Sequence, residues 1–388
     1  MKKMNLFLGM TLVTMSSLFV ACRDEVENIP EADSNDTRAL VLEPHQTSFF
    51  VATDRHTNDG YTCNNLLGLL RTGCSFSQYP APSVVVLGGD LVGAMDEAEA
   101  VSSQNNAPSL TSGVKLRKGG GGSDAPEFYW SNLTEEIMWG MGNKAYKFLG
   151  TYGSHDDQCK DGYSVFYSGP QEQDGYYTYG ISYSQMINCE KTSTLLDKDD
   201  PYGQNATQAS AAFTNWVNSL DKDDHKPIMV ISHVPMHARR GDNYGSMLWV
   251  NALNEAAKEH DIVFFWGHNH TGESLADTNS YFLVPGDVLN VQTNQEKKLT
   301  AEESAETGKT SKRLKASATG EDVTLNFYYA NAGYLKNGWD EAHLVTFTDD
   351  ENDGKYDTME LFKFKSDGST SEAGTTGKTY PYTVNLMK

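Results

Sequence analysis

The sequence predicts an α/β protein, and three observations predict it. Short apolar runs of strand length recur from Ser48 onward, helical patterns separate them, and five of the runs stop at aspartate or histidine. In sheets built from such βα units, ligands collect at the carboxyl ends of the strands. Five strand ends that bring Asp and His to one edge point to a functional centre at that edge.

The chain begins with Lys2 and Lys3, an apolar run from Leu6 to Val20, and then Ala21-Cys22, which read together as a secretion signal. Gly9, Thr11, Thr14, Ser16 and Ser17 interrupt the run, which is too short for a good membrane span. The stretch Leu18-Phe19-Val20-Ala21-Cys22 resembles a bacterial lipoprotein cleavage site, which would make Cys22 the lipidated first residue. Phe19 is bulkier than that pattern usually carries, so plain signal cleavage stays open. The expected organisation is a signal peptide over residues 1–21, a flexible acidic tether over 22–45 and one domain over 46–388. Such a protein would be extracytoplasmic, held at a membrane only by its N-terminal lipid, in the periplasm or at the cell surface.

All 388 residues carry a net charge of −21, and 29 basic against 52 acidic residues remain once 1–21 are removed, or −23. That balance argues against nucleic-acid binding through a basic face. Cys63, Cys74, Cys159 and Cys189 would remain in an oxidising compartment, where three pairings are open. Cys63–Cys74 with Cys159–Cys189 is the expected one.

The five runs follow in order. Ser48 to Thr53 leads to Asp54-Arg55-His56, and Ser83 to Leu87 to Gly88-Gly89-Asp90. Lys147 to Tyr152 leads to Gly153-Ser154-His155-Asp156, Pro227 to Ile231 to Ser232-His233, and Ile262 to Trp266 to Gly267-His268-Asn269-His270. Helical patterns span Asn65 to Arg71, Ala209 to Leu220 and Met247 to His260. Three polar stretches, 101–126, 190–208 and 291–322, read as insertions, the last as a solvated helix or disordered loop. Lys118 before Gly119 to Gly122 reverses the P-loop order and follows no apolar strand, so a flexible loop is expected there. Near the C-terminus, His343 to Phe347 and Thr358 to Phe362 flank Asn352-Asp353-Gly354. Flanking strands make this an acidic hairpin turn rather than a calcium loop, although Asp349, Glu351, Asp353 and Glu360 roughly fit calcium spacing.

Collected at one edge, Asp54, His56, Asp90, His155, His233, His268 and His270 offer imidazoles and carboxylates suited to zinc, manganese or iron. They exceed the needs of a single tetrahedral site, and a carboxylate between two ions can bridge them. The ordered blocks resemble the calcineurin-like metallophosphoesterase superfamily, which includes the purple acid phosphatases. Its motifs run D-x-H, G-D, G-N-H-[DE], a lone histidine after a strand, and G-H-x-H.

That resemblance implies a four-layer α/β/β/α sandwich, with two mixed sheets face to face and helices outside. It implies two divalent metal ions, Asp54, His56 and His270 on the first, His233 and His268 on the second, and Asp90 bridging. His155 would stand beside the substrate, with Asp156 orienting its ring. The reaction implied is phosphoester hydrolysis by in-line attack of a hydroxide shared by the metals, on a small phosphoester substrate. A phosphatase is the leading expectation. A phosphodiesterase on nucleotides or lipid headgroups, or a non-catalytic surface-binding lipoprotein of the same fold, are the alternatives.

Two positions depart from the family pattern. Ser154 replaces the asparagine ligand, with a hydroxyl that is shorter and a poorer donor. Gly93 stands where purple acid phosphatases place a metal-binding tyrosine, so no tyrosinate-bound ferric site is expected. Arg239 and Arg240, beyond the His233 strand, are candidates to clamp a phosphate, and Arg240-Gly241-Asp242 reads as a polar turn rather than an adhesion signal. Trp139, Trp249 and Trp266 are expected in the core or in a pocket wall.

Overall fold

Phe49 and Phe50 are neighbours in β1 (His45–Ala52), yet they serve different layers. Side chains alternate across a strand, so Phe49 turns toward Phe265, with ring centroids 6.2 Å apart, while Phe50 turns toward Phe364 at 6.4 Å. Both are fully buried, because β1 lies inside a sheet that is covered on both faces.

The computed structural model describes residues 44–55, 63–91, 133, 136–142, 144–153, 156, 167–187, 205–221, 223–237, 245–268, 282–293, 296–298, 300–302, 305, 311–313, 320–333, 335, 340–370 and 378–387. The expected signal peptide, most of the tether and Cys22 lie outside these residues. Glu43–Lys388 forms one compact unit, and its first strand begins at His45, a little before the expected Ser48. Among the described residues no helix is long and apolar enough to cross a membrane.

The first sheet has six strands in the order β16–β15–β14–β1–β2–β3. Its parallel half is β1, β2 (Val84–Gly88) and β3 (Lys147–Thr151). Its antiparallel half is β14 (Ala342–Asp349), β15 (Thr358–Phe364) and β16 (Tyr382–Asn385). The β14–β15 connection is the expected hairpin turn, in which Asp349 accepts from the Asp353 and Gly354 amides at 3.2 and 2.9 Å.

The second sheet runs β4–β5–β6–β7–β13–β8. Its parallel strands are β5 (Tyr177–Ile181), β6 (Ile228–Ser232), β7 (Ile262–Trp266) and β13 (Tyr328–Asn331). The edges β4 (Gly169–Glu172) and β8 (Phe282–Leu283) are antiparallel.

Alternation in β6 and β7 assigns the layers. Met229, Ile231, Val263 and Phe265 join the core shared with β1 and β2. Ile228, Val230, Phe264 and Trp266 join a second core with Phe213, Trp249, Val250 and Leu253. Those four belong to helices α3 (Ala206–Ser219) and α4 (Ser246–Ala256), which follow the short α2 (Tyr183–Ile187). Helix α1 (Cys63–Ser75) covers the other sheet, with Leu66, Leu69 and Leu70 buried. The result is the α/β/β/α sandwich with two mixed sheets.

Three local expectations are corrected. Within 291–322 the chain adds strands to the expected solvated helix: Ala301, Glu302 and Ala305 are helical and exposed, while β9 (Val288–Gln292) pairs with β12 (Gly320–Thr324), and β10 (Glu296–Lys298) with β11 (Ser311–Arg313). Cys74 is a free thiol. Cys63 and Cys74 stand at opposite ends of α1, roughly 16 Å apart along its axis at 1.5 Å per residue, far beyond disulfide reach. Cys159 and Cys189 lie outside the described residues. Trp249 and Trp266 are core residues, but Trp139 is 38 % exposed on the outer side of the helical segment 136–141.

Candidate metal centre

The carboxyl ends of five parallel strands meet where the two sheets adjoin. Their loops are stitched by backbone hydrogen bonds: Asp54 N–H to the Gly89 carbonyl at 3.0 Å, Thr53 N–H to Gly333 at 2.9 Å and Gly267 N–H to His233 at 3.0 Å. The strands stop here because the backbone leaves the extended region. Asp54, Asp90 and His268 have φ of +55°, +49° and +69°. Left-handed backbone costs a residue with a Cβ roughly 1–3 kcal/mol, and such strain collects at functional sites.

Asp90, His233 and His268 form the core of the centre. All three are buried, and one ligand atom from each lies within 4.8 Å of the others. The Nδ1–H of His233 donates to the Gly88 carbonyl at 3.1 Å, which turns Nε2 inward. There Nε2 stands 3.1 Å from Asp90 Oδ2 and 3.0 Å from His268 Nδ1. An outward N–H held by a carbonyl, with the other nitrogen aimed at carboxylate and imidazole, is how metal-ligating histidines are oriented. Ligand atoms bound ~2.1 Å from one ion stand about 3.0–3.4 Å apart, so this donor set fits a divalent cation.

Asp54 borders the cluster. Its Oδ2 accepts from the His268 amide at 2.8 Å and the Thr53 hydroxyl at 3.0 Å, while Oδ1 stands 4.0 Å from His233 Nε2. Two glycines allow the approach. A Cβ on Gly267 would collide with Thr53 Oγ1 and Asp54 Oδ2, and one on Gly153 with the Asp90 amide and carboxylate.

Electrostatics favour a cation. Burial alone would lower the His233 imidazole, but Asp90 and then Asp54 outweigh it and push its pKa up to about 9 in the metal-free protein. A proton on Nε2 then occupies the position that a metal would take.

Asp156 is buried and braces the loops. Its Oδ2 accepts from Gly153 N–H at 2.7 Å and its Oδ1 from Leu91 N–H at 2.9 Å, which ties the end of β3 to the end of β2. Of the expected site residues, Asp54, Asp90, Asp156, His233 and His268 are thus brought together. His56, Ser154, His155, His270, Arg239 and Arg240 lie outside the described residues.

Sequence patterns gave no sign of Thr53, whose hydroxyl bonds both Asp54 and the Gly88 carbonyl. Nor did they reveal Tyr183, which packs against His268 with ring centroids 6.2 Å apart. The Tyr183 amide bonds the Tyr152 carbonyl at 2.9 Å, across the seam between the sheets, a contact with no local signature.

Fold and centre together define a two-sheet α/β sandwich with a buried Asp–His–His cluster at the carboxyl edge of its parallel strands. No protein-family model matches the chain, and no curated protein matches it. Solved structures with a related shape include GAP50, the anchor in the inner membrane complex of Plasmodium, at 12 % identity over 88 % of each chain and a TM-score of 0.38. The Haemophilus influenzae NAD nucleotidase NadN shares 12 % identity over 85 % of this chain and 49 % of its own, with a TM-score of 0.34. The calcineurin-like phosphoesterase YfkN from Bacillus subtilis shares 11 % identity over 86 % of this chain and 94 % of its own, also with a TM-score of 0.34. All three scores lie below 0.5, and the metal assignment rests on the side chains.

Proposed function

We propose that the chain is a metal-dependent phosphoester hydrolase, in the first place a phosphatase. The observation that carries this is the convergence of Asp90, His233 and His268, buried and pre-oriented at the carboxyl edge. His233 and His268 would hold one ion, Asp54, His56 and His270 a second, and Asp90 would bridge. Divalent ions in such a site lower the pKa of bound water and neutralise charge that develops on phosphoryl oxygens.

The chain's own groups do the rest. His155 would donate its proton to the leaving oxygen or hydrogen-bond a phosphoryl oxygen, with Asp156 keeping its loop in place. Arg239 and Arg240 would clamp phosphate oxygens. The net charge of −21 does not oppose an anionic substrate, because remote carboxylates are screened beyond a Debye length of ~8 Å. Residues 1–22 would deliver the protein across a membrane and hold it there through a lipid on Cys22.

The test is a metal count on the purified full chain, with generic phosphomonoester and phosphodiester assays beside Asp90→Asn and His233→Ala. Bound metal, with turnover lost in both variants, supports the hydrolase, and the preferred ester separates phosphatase from diesterase. Bound metal without turnover on any ester points to a binding protein of the same fold. A folded chain that takes up no divalent ion overturns the metal centre. Separately, Cys22→Ala should release the protein from membranes.

A further inference from the structure

The residue between Asp54 and the next expected ligand, His56, is Arg55, and it is 1 % exposed. Its partner is Glu136, 2 % exposed and 81 residues away in sequence. Arg55 Nε donates to Glu136 Oε2 at 2.9 Å, and Nη2 donates to the same oxygen. Burying two charges is costly, and a buried ion pair stabilises a fold little over apolar residues of the same size. Its placement therefore asks for a reason beyond stability.

The surroundings supply one. Glu136 lies in the helical segment 136–141, whose inner side carries Ile137, Gly140 and Met141 in the core. Gly140 sits so close to α1 that a Cβ there would collide with Leu70, which fixes the segment against that helix. Burial raises the pKa of Glu136, while Arg55 and the Leu67 backbone pull it down. Glu136 is thus a fixed anchor on two packed helices. Arg55 in turn joins directly to Asp54, whose φ of +55° is a left-handed conformation that persists where the surroundings hold it.

We propose that the buried Arg55–Glu136 pair is a positioning device for the metal centre, holding the loop after β1 in the left-handed turn that presents Asp54. Arg55 touches neither metal nor substrate in this role. A planar guanidinium gripping one carboxylate oxygen through two N–H groups fixes direction as well as distance, which an ammonium cannot do. Outer-shell partners of this kind typically contribute 10–100-fold in metal affinity.

The role rests on the metal reading above, and the experiment separates the two. The full chain, Arg55→Met/Glu136→Leu and Arg55→Lys are titrated with Mn²⁺ alone and melted without metal. The apolar pair should melt close to the parent yet bind Mn²⁺ at least tenfold more weakly, with kcat falling and KM little changed. Arg55→Lys should show a smaller loss in the same direction, and it carries the test if the double variant does not fold. Parent-like Mn²⁺ affinity in the folded double variant, or in Arg55→Lys if the double variant does not fold, overturns the positioning role and leaves the metal centre standing. A parent that binds no Mn²⁺ overturns both.

Discussion

His233 Nε2 and His268 Nδ1 stand 3.0 Å apart, although 35 residues separate them in the chain. They meet because β6 and β7 are adjacent parallel strands and both stop at the same edge. With Asp90 beside them, the pair is built to accept either a proton or a cation.

That alternative predicts proton release. The pKa of His233 is raised from 6.5 to about 9, so the metal-free fold gains stability from this proton in full below pH 6.5 and loses it as pH rises through about 9. An incoming ion must displace it. Mn²⁺ titration at pH 7 should release about one proton per ion from this site, and apparent affinity should rise by up to about tenfold per pH unit toward pH 9. Calorimetry in two buffers of different ionisation heat measures the release. Affinity that stays flat between pH 6 and 8 would remove His233 from the ligand set.

Gly267→Ala should damage the centre more than the fold. The new methyl collides with Thr53 Oγ1 and Asp54 Oδ2, and so opposes the 2.8 Å bond from the His268 amide to Asp54. Overpacking of this sort costs about 1–3 kcal/mol. Melting should show that modest loss, and Mn²⁺ titration a larger weakening, because Asp54 and His268 shift together. Unchanged metal affinity would mean that Gly267 does not set their spacing.

Much of this edge was legible in the sequence, for a physical reason. Parallel strands buried on both faces must be continuous apolar runs, as Val84 to Leu87 and Ile262 to Trp266 are. The residue after each run is then free to carry chemistry. Strands without such a run left no trace. β4 reads Gly-Pro-Gln-Glu, and β9 to β12 are short ladders whose described positions are partly exposed. Arg55 and Glu136 pair across 81 residues, and nothing local marks either one. The Cys63–Cys74 expectation failed because counting cysteines ignores that α1 runs straight between them.

Between the sheets, Phe265 is the side chain whose removal should cost most. It is fully buried on β7 and reaches Phe49 of the opposite sheet and the His343 ring, with centroids 6.2 and 5.4 Å away. Neither sheet can close over the space from its own side. Phe265→Ala should therefore destabilise the fold by about 3–5 kcal/mol in urea titration. A loss under about 1 kcal/mol would mean that the two sheets repack freely and that the shared core is not the main tie between them.

His343 makes the fold acid-sensitive independently of any metal. Its ring is fully buried on β14 against Phe265 and Tyr380, and Nε2 is 3.1 Å from the Tyr380 hydroxyl. Burial first, and then the Lys363 charge nearby, push its pKa down from 6.5 to about 3. Between those values the unfolded chain binds the proton and the folded chain does not. Stability contributed by neutral His343 is thus complete above pH 6.5 and is lost as pH falls toward 3, at up to about 1.4 kcal/mol per unit. Urea unfolding at pH 7.5 and 4.5 should show the metal-free protein losing on the order of 2–3 kcal/mol through this group. His343→Phe keeps a planar ring, somewhat larger, and has no proton to take up, so its loss over the same interval should be smaller by about that amount. Equal losses in both proteins would assign the acid sensitivity to other groups, because a buried imidazole that cannot protonate in place must open the inter-sheet core to do so.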